Sequence, residues 1–513
     1  MKERILFSSD CPSLGISSMH WFRKDLRLHD NPALLESFKN CQAFYGVYFL
    51  DPASVQRSNL SPNRWWFLLE SLRDLDYNLR SLGSRLLVVR GQPVQEMPKL
   101  LDQWNIKRLT LEYDSEPPAK QRDAVVTHLA KNLGVEVIQR VSHTLYDVET
   151  VLETNDGKLP MTFDEMAKTA EQLGPPCPPC QTVDKTVFGA CLTPVGPDHA
   201  DKYGVPLLSE FGMKELKEAT AKKYWTGGEP EALRRLSAAL KKCAENDFEE
   251  RGWTIDEMFS NDAHLSPYMR FGCLSPRLYY QQLALTYMKE KKSIPPATLF
   301  TGLVRRELFL HVASHNADLD KMLDNPLSVQ FPWEENKEGL ERWKEGKTGF
   351  PWIDAIMRQL REEGWIHHLA RQAVGCFLTR GCLWVSWEEG FKAFDELQLD
   401  AEWSLNASNW LWLSCSSYVH GAVPWYCPVE VGKKVDPTGD YIKRYVPEVR
   451  GLPSEYVCEP WNAPLSVQKA CRCVVGEDYP SPIVDHMEQR MICVQRMQQL
   501  SIDLGAKGER VTS

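Results

Sequence analysis

Apolar runs rich in β-branched and aromatic residues recur at Met19 to Phe22, Ala43 to Leu50, Arg85 to Val89, Arg108 to Tyr113 and Val135 to Ile138. Between them lie helical patterns at Asn63 to Leu82, Val94 to Trp104 and Lys120 to Leu133. Strands that alternate with helices are joined by crossovers, not hairpins, and the arrangement this predicts is a parallel, doubly wound sheet. After Glu229 the strand signals nearly vanish, and helical periodicity continues to about Leu500. The predicted class is therefore α/β plus all-α. At 513 residues the chain exceeds what one core usually organises, which agrees with two domains.

The expected boundaries are a disordered N-terminal extension over residues 1–18, the α/β domain over 19–148, a connector over 149–228, the helical domain over 229–500 and a short tail over 501–513. The connector is predicted to be extended, because its patterning loosens and GPPCPPCQTVD is rich in proline. Cys177 and Cys180 form a CxxC, but no second pair stands at zinc spacing, so no metal site is expected. Fifteen scattered cysteines suit a reducing compartment better than a disulfide scaffold. No apolar run approaches a membrane span, and the first eighteen residues lack the apolar core of a signal peptide, so the expected location is nuclear or cytoplasmic, away from membranes. A net charge of -9 argues against a broadly basic nucleic-acid coat and leaves room for a local basic cleft. No GxGxxG or P-loop follows the first strand, so the sheet alone names no ligand.

Chemistry concentrates between Gly364 and Ser417, where six tryptophans, a paired histidine and several amides and carboxylates share apparently helical sequence. Trp384 and Trp387, three apart, would share a face; Glu402, Asn406, Asn409 and Trp410 form a second stripe. His368, Arg371 and Gln372 occupy one helical face, and Asp400 is a natural partner for a buried Arg371, since neither charge is tolerated alone in a core. Glu402 and Asn406 offer an acceptor and an amide to the polar edge of a heteroaromatic ring. Ser266, followed by Pro267, suits a helix start able to hold phosphate. Each feature has a plainer reading: an N-cap, a structural histidine, or tryptophans as core residues.

The segments FRKDLRLHDNPAL, VSHTLYD, SPYMRFGCLS, GKTGFPWIDAIMRQLREEGWIHHLAR, CFLTRG, DPTGDYIKRYVPEVRGLPSEYV and EPWNAP together resemble the cryptochrome and photolyase family, in its animal branch of cryptochromes and (6-4) photolyases. The likeness runs from about Met19 to Met497. It implies a Rossmann-like antenna domain and a helical domain that holds FAD and absorbs blue light, with a folate or deazaflavin antenna as a possible second chromophore. By the same resemblance Ser266 contacts phosphate, and His368 and Asn409 line the flavin pocket. Arg371 and Asp400 form an ion pair beside the ring, and Asn406 faces flavin N5. Trp410, Trp387 and Trp333 match the family's electron-hopping chain, with Trp384 in a fourth position and Trp333 placed by its FPW context.

The departures bear on function. Gln372 stands where a (6-4) photolyase has a second histidine, and glutamine cannot change charge near neutral pH. GLVRRE puts Gly302 in place of a flavin-side glutamine and Arg305 in place of a tryptophan lining the lesion cavity. Glu402 replaces an aspartate, and Ala263 a hydroxyl residue. The expected function is a photoreceptor or clock-type signalling protein that does not repair DNA. The alternatives are a (6-4) photolyase and a light-independent interaction module. Met487, Met491, Val494, Met497 and Leu500 make an apolar stripe on a terminal helix, an expected docking surface for clock or signalling partners or a face packed on its own domain; the flavin cavity is the expected site of any DNA binding.

Overall fold

The computed structural model describes residues 15–50, 60–194, 196–211, 220, 224–248, 263–417 and 424–506. Strands β1 (Ile16–Phe22), β2 (Cys41–Leu50), β3 (Leu86–Arg90), β4 (Arg108–Glu112) and β5 (Glu136–Arg140) form one sheet in the order β3-β2-β1-β4-β5, with every pairing parallel. The crossovers carry α1 (Pro32–Ser37), α2 (Pro62–Ser81), α3 (Pro93–Gln103) and α4 (Pro117–Asn132). Proline stands in the first turn of all four helices, where its missing N–H costs nothing. Asn31 and Ser61 cap α1 and α2 through their side-chain oxygens.

β1 begins at Ile16, inside the expected N-terminal extension, whose residues 1–14 lie outside the described residues. Ser17 and Ser18 gave no apolar pattern, yet they pair with Ala43 and Phe44 of β2, and Ser18 is fully buried. The ladder recruits them, not their side chains.

The connector departs further from expectation. It carries α5 (Val148–Thr154), α6 (Phe163–Leu173), α7 (Lys185–Phe188) and α8 (His199–Tyr203), and the proline-rich stretch between α6 and α7 has no regular structure. There the Cys180 N–H donates to Asp30 Oδ1 at 2.9 Å. Among the described residues no group of three or more His, Cys, Asp or Glu is placed to hold a metal ion. Beyond α7, Leu192 exchanges backbone hydrogen bonds of 2.8 and 3.0 Å with Phe44 and Gln42 of β2. It covers the part of β2 that lies ahead of Gly46, where pairing with β3 begins.

The rest is helical: α9 (Glu229–Glu245), α10 (Ser266–Phe271), α11 (Pro276–Lys291), α12 (Thr301–Ala313), α13 (Lys337–Glu345), α14 (Pro351–Glu363), α15 (His368–Cys376), α16 (Trp387–Leu397) and α17 (Trp403–Leu413). Four short helices follow, α18 to α21 (Glu430–Val435, Asp440–Tyr445, Ser454–Val457 and Leu465–Ala470), and then α22 (His486–Ala506). α22 continues past Leu500, where a tail was expected; residues 507–513 lie outside the described residues. No described helix is long and apolar enough to cross a membrane.

One apolar core joins the two parts, because Phe22, Phe67 and Leu72 pack in the same cluster as Tyr268, Phe271, Trp365 and Leu399. The carboxyl edge of the sheet therefore abuts the helices. Just past β1, Lys24 reaches Glu402 at 3.1 Å; Arg64 of α2 donates to the Ala401 carbonyl at 2.8 Å; and Arg306 of α12 donates to the His143 carbonyl, just past β5, at 2.7 Å. Open α/β sheets offer ligand sites at this edge.

Candidate functional site

Gly364 ends α14 in the left-handed conformation, with φ of 72°. Three residues on, His367 caps α15, its ring nitrogen accepting from the Leu369 N–H at 3.4 Å. α15 then presents His368, Arg371 and Gln372 on one face, as their spacing predicts. It runs into a widened π-type turn over Phe377–Gly381, after which Trp384 adopts φ of 52° and donates its N–H to the Thr379 carbonyl at 2.8 Å. Left-handed backbone is uncommon for so bulky a residue and is a form of stored strain. Ser386 caps α16, which starts at Trp387. Trp384 and Trp387 therefore occupy a loop and a helix start. The expectation of one shared helical face fails, because the turn uses up the residues between the two helices.

α17 begins after Glu402 and carries Asn406, Asn409 and Trp410 on the predicted stripe. Between α10, α12, α15 and α17 lies a cavity of about 380 Å³. Ser266, His368, Arg371, Asp400, Glu402, Asn406, Asn409 and Trp410 all line it, together with Gln372, Gly302 and Arg305.

Ser266 is the first residue of α10 and caps nothing; Leu265 holds the cap position. Its hydroxyl instead donates to Asp400 Oδ2 at 2.6 Å and accepts from the Trp365 indole at 3.1 Å. Arg371 Nη2 donates to the same Asp400 oxygen at 2.7 Å, which makes the predicted ion pair. Glu402 Oε1 takes Lys24 Nζ at 3.1 Å and lies 2.7 Å from His143 Nε2. Burial pushes the Glu402 carboxyl up, but His143 and Lys24 outweigh it and hold it well below the carboxylate range. Burial holds His143 below its ordinary value, and its Nε2 stands between Glu402 Oε1 and Arg306 Nη2, the latter at 2.9 Å. Asn406 donates its amide to the Phe391 carbonyl at 3.0 Å, which leaves its own carbonyl as the group it offers the cavity. Asn409 donates to the Leu405 carbonyl at 2.6 Å.

His367 and His368 are neutral at ordinary pH. Burial, then the charge of Arg371 and Arg305, lowers His368 to about 4; burial, then its imidazole neighbours, lowers His367 to about 3. The tyrosine hydroxyl of Tyr426 donates to the Gln372 carbonyl, so Gln372 is both uncharged and pinned. Lys24, His143, Arg270 and Tyr426 were not singled out from sequence. The first two lie in the segments FRKDLR and VSHTLYD, whose membership in the site is visible only once the sheet edge meets the helices.

FAD fits this cavity on the atoms left over. Among the described residues, buried Asp400 Oδ1 and Glu402 Oε2 accept no hydrogen bond, with Arg306 Nη2 3.8 Å from the latter, and Gln398 Nε2 donates none. Buried polar groups of this kind await a partner. Four arginines, Arg270, Arg305, Arg306 and Arg371, line the cavity against two carboxylates, Asp400 and Glu402. The surplus of two positive charges suits a diphosphate, while the orphaned acceptors suit ribityl hydroxyls and a ring imide N–H. At Gly302 a Cβ would meet nothing within 4 Å, so the missing glutamine leaves open space.

The tryptophans gather beside the cavity. Trp410 and Trp387 are fully buried in one cluster, and half-buried Trp333 packs against it. Trp333 lies 6.0 Å from Trp384, ring centre to ring centre, and Trp384 is only 2 % exposed. Among the described residues the indole N–H groups of Trp410, Trp387, Trp333 and Trp384 meet no acceptor, whereas those of neighbouring Trp343 and Trp425 donate to backbone carbonyls.

Residues 18–182 match the family model described as DNA photolyase, and residues 299–499 match the FAD binding domain of DNA photolyase. Cryptochrome-1 of Mus musculus is 50% identical over 489 residues, covering 95% of this chain and 80% of that protein. Cryptochrome-2 of Gallus gallus is 48% identical over 485 residues, covering 94% of this chain and 83% of that protein. Among solved structures, a bacterial class III photolyase from Agrobacterium tumefaciens superposes with a TM-score of 0.81 at 26% identity, covering 96% of this chain and all of that one. A Synechocystis cryptochrome superposes at 0.80, also at 26% identity, covering 93% and 98%. With its sheet domain, its FAD-binding helical domain and half its residues shared with animal cryptochromes, this chain belongs to the cryptochrome and photolyase family, in its animal cryptochrome branch.

Proposed function

We propose that this chain is an FAD-binding blue-light receptor or clock-type signalling protein that does not repair DNA, and that Trp410, Trp387, Trp333 and Trp384 carry electrons to its cavity. Bound FAD supplies a blue-light-absorbing, electron-accepting ring. Asp400, Arg371 and Ser266 hold and orient it, Asn406 presents a carbonyl to its polar edge, and the apolar packing around Trp410 keeps water from the path. The observation that carries the relay is that Trp410, Trp387 and Trp333 belong to one apolar cluster and Trp333 lies 6.0 Å from Trp384, while none of the four indole N–H groups meets an acceptor among the described residues. An oxidised indole is a strong N–H acid, and one that cannot shed its proton onto the protein keeps its charge free to move on. Trp66 and Trp225 share the missing acceptor elsewhere, so it is the row beside the cavity that marks these four.

Against repair stand Gln372, which has no proton to give and whose carbonyl already accepts from Tyr426, and Arg305, whose guanidinium lies 6.0 Å from the Trp412 ring centre at the cavity mouth. If nucleic acid binds, this basic mouth is where it docks. The light-independent reading draws on Gly302, which contributes no side chain to flavin retention.

Partners would take the outer face of α22. There Met487, Met491 and Val494 are 51, 68 and 48 % exposed, while Met497 and Leu500, expected on the same stripe, pack inward beside Trp384. A second chromophore of folate or deazaflavin type would take the cavity of about 240 Å³ lined by Trp21, Tyr48, Arg64 and Arg122 at the carboxyl edge of the sheet. A nuclear or cytoplasmic location completes the reading.

The experiment is to record the absorbance of the purified protein in dark and under blue light and to assay repair of (6-4) DNA. Bound flavin that bleaches in light without repair supports the reading; robust repair, or colourless protein, overturns it.

A further inference from the structure

We propose that Arg496 of α22 sets where positive charge comes to rest at the outer end of the tryptophan row, holding it on Trp333 and off Trp384. This deepens the relay reading above and rests on it. The guanidinium carbon of Arg496 lies 4.4 Å from the ring centre of Trp384, and its Nη2 pairs with Glu334 Oε1 at 2.6 Å. Glu334 follows Trp333 in the chain and donates its backbone N–H to the Trp384 carbonyl at 2.8 Å. Arg496 thus lies on Trp384 and also pairs with Trp333's own neighbour.

A neutral indole attracts a cation over its face, because its quadrupole is negative there. Removing one electron reverses the interaction: the ring becomes positive, and a guanidinium at this distance repels it. Trp384 is buried at 2 % exposure, which withholds water from the new charge. Trp333 has the opposite surroundings. It is half-buried, so water reaches it, and Phe331 stacks on it at 4.8 Å and 19°. Both favour a positive Trp333. In the exchange between them one electron passes from Trp384 to oxidised Trp333 or back, and Arg496 weights that balance toward oxidised Trp333. The fourth tryptophan then acts as a high-energy outpost instead of the terminus, a role its position in the row does not disclose.

The test uses the full chain and an external oxidant, so it reads Arg496 whether or not the flavin reading holds. Azide radicals from pulse radiolysis each take one electron from a tryptophan and become azide ions. With dioxygen dissolved in the buffer as the oxygen source, the indolyl radicals go on to oxygenated products, and the sites are read by peptide mass spectrometry. In the unaltered protein oxygenation at Trp333 exceeds that at Trp384 by about tenfold, and Arg496→Gln brings the two within about threefold. Arg496→Lys keeps most of the preference, and Glu334→Gln, which breaks the same ion pair but leaves the cation on the ring, keeps a clear preference as well. Dominant oxygenation of Trp384 in the unaltered protein overturns the proposal. So does an Arg496→Gln ratio equal to the unaltered one, or an equal rise at Trp384 in Arg496→Gln and Glu334→Gln, which would trace the effect to loosened packing.

Discussion

The indole of Trp410 rests on the backbone of Gly390: a Cβ at that glycine would come within 2.2 Å of the ring's outer carbon. Gly390 lies one turn beyond Trp387 in α16, so the contact seats Trp410 of α17 beside Trp387. The proximity of the first two tryptophans follows from a residue that has no side chain.

Gly390→Ala tests that seat. In an open helix the change would stabilise by up to ~1 kcal/mol. Here the indole is fully buried and has nowhere to go, so overpacking wins and the variant is less stable by about 1–3 kcal/mol. Chemical denaturation reads the loss, and a stabilised variant would show that the two helices slide apart at no cost.

Gly302→Gln should act in the opposite direction. Nothing lies within 4 Å of the Cβ position, so the side chain enters open space, and an α12 residue changes from glycine to a good helix former. Stability should rise by about 0.5–1 kcal/mol. The share of chains keeping FAD through gel filtration should rise too, as absorbance ratios would show; an unchanged share would mean that the cofactor does not reach this wall.

His367 and His368 give the stability curve an acid limb. Both are lowered in the folded chain, to about 3 and about 4, against about 6.5 unfolded. Between those values the unfolded state binds more protons, so their contribution is intact above about pH 6.5 and declines as pH falls toward 4. Replacing both by glutamine should flatten melting temperature against pH in that window relative to the unaltered protein. Parallel curves for the two proteins would contradict the assignment.

Much of the site is legible in the sequence because it sits on regular helices. The face shared by His368, Arg371 and Gln372, and that shared by Asn406, Asn409 and Trp410, follow from spacings of three and four, and the Arg371–Asp400 pair follows from the intolerance of a core for single charges. What escaped lies where periodicity carries no information. Trp384 is set by a widened turn and a left-handed residue, so its spacing to Trp387 misleads. Ser266 looked like a cap because serine and proline commonly begin helices, but Asp400, 134 residues away, claims its hydroxyl. Lys24 and His143 enter the site only because the sheet's edge meets the helices, a contact no local pattern encodes. The connector's helices α5, α7 and α8 are too short for periodicity to mark, and the start of β1 is hidden because Ser17 and Ser18 pair through backbone alone.

The most direct measurement is the rate at which blue light bleaches the bound flavin in the unaltered protein and in Trp410→Phe. Trp410 is the relay tryptophan that lines the cavity, and phenylalanine preserves most of its packing while being far harder to oxidise. The account predicts a fall of at least about tenfold, corresponding to ~1.4 kcal/mol or more in the barrier. A Trp410→Phe protein that bleaches at the unaltered rate would contradict it.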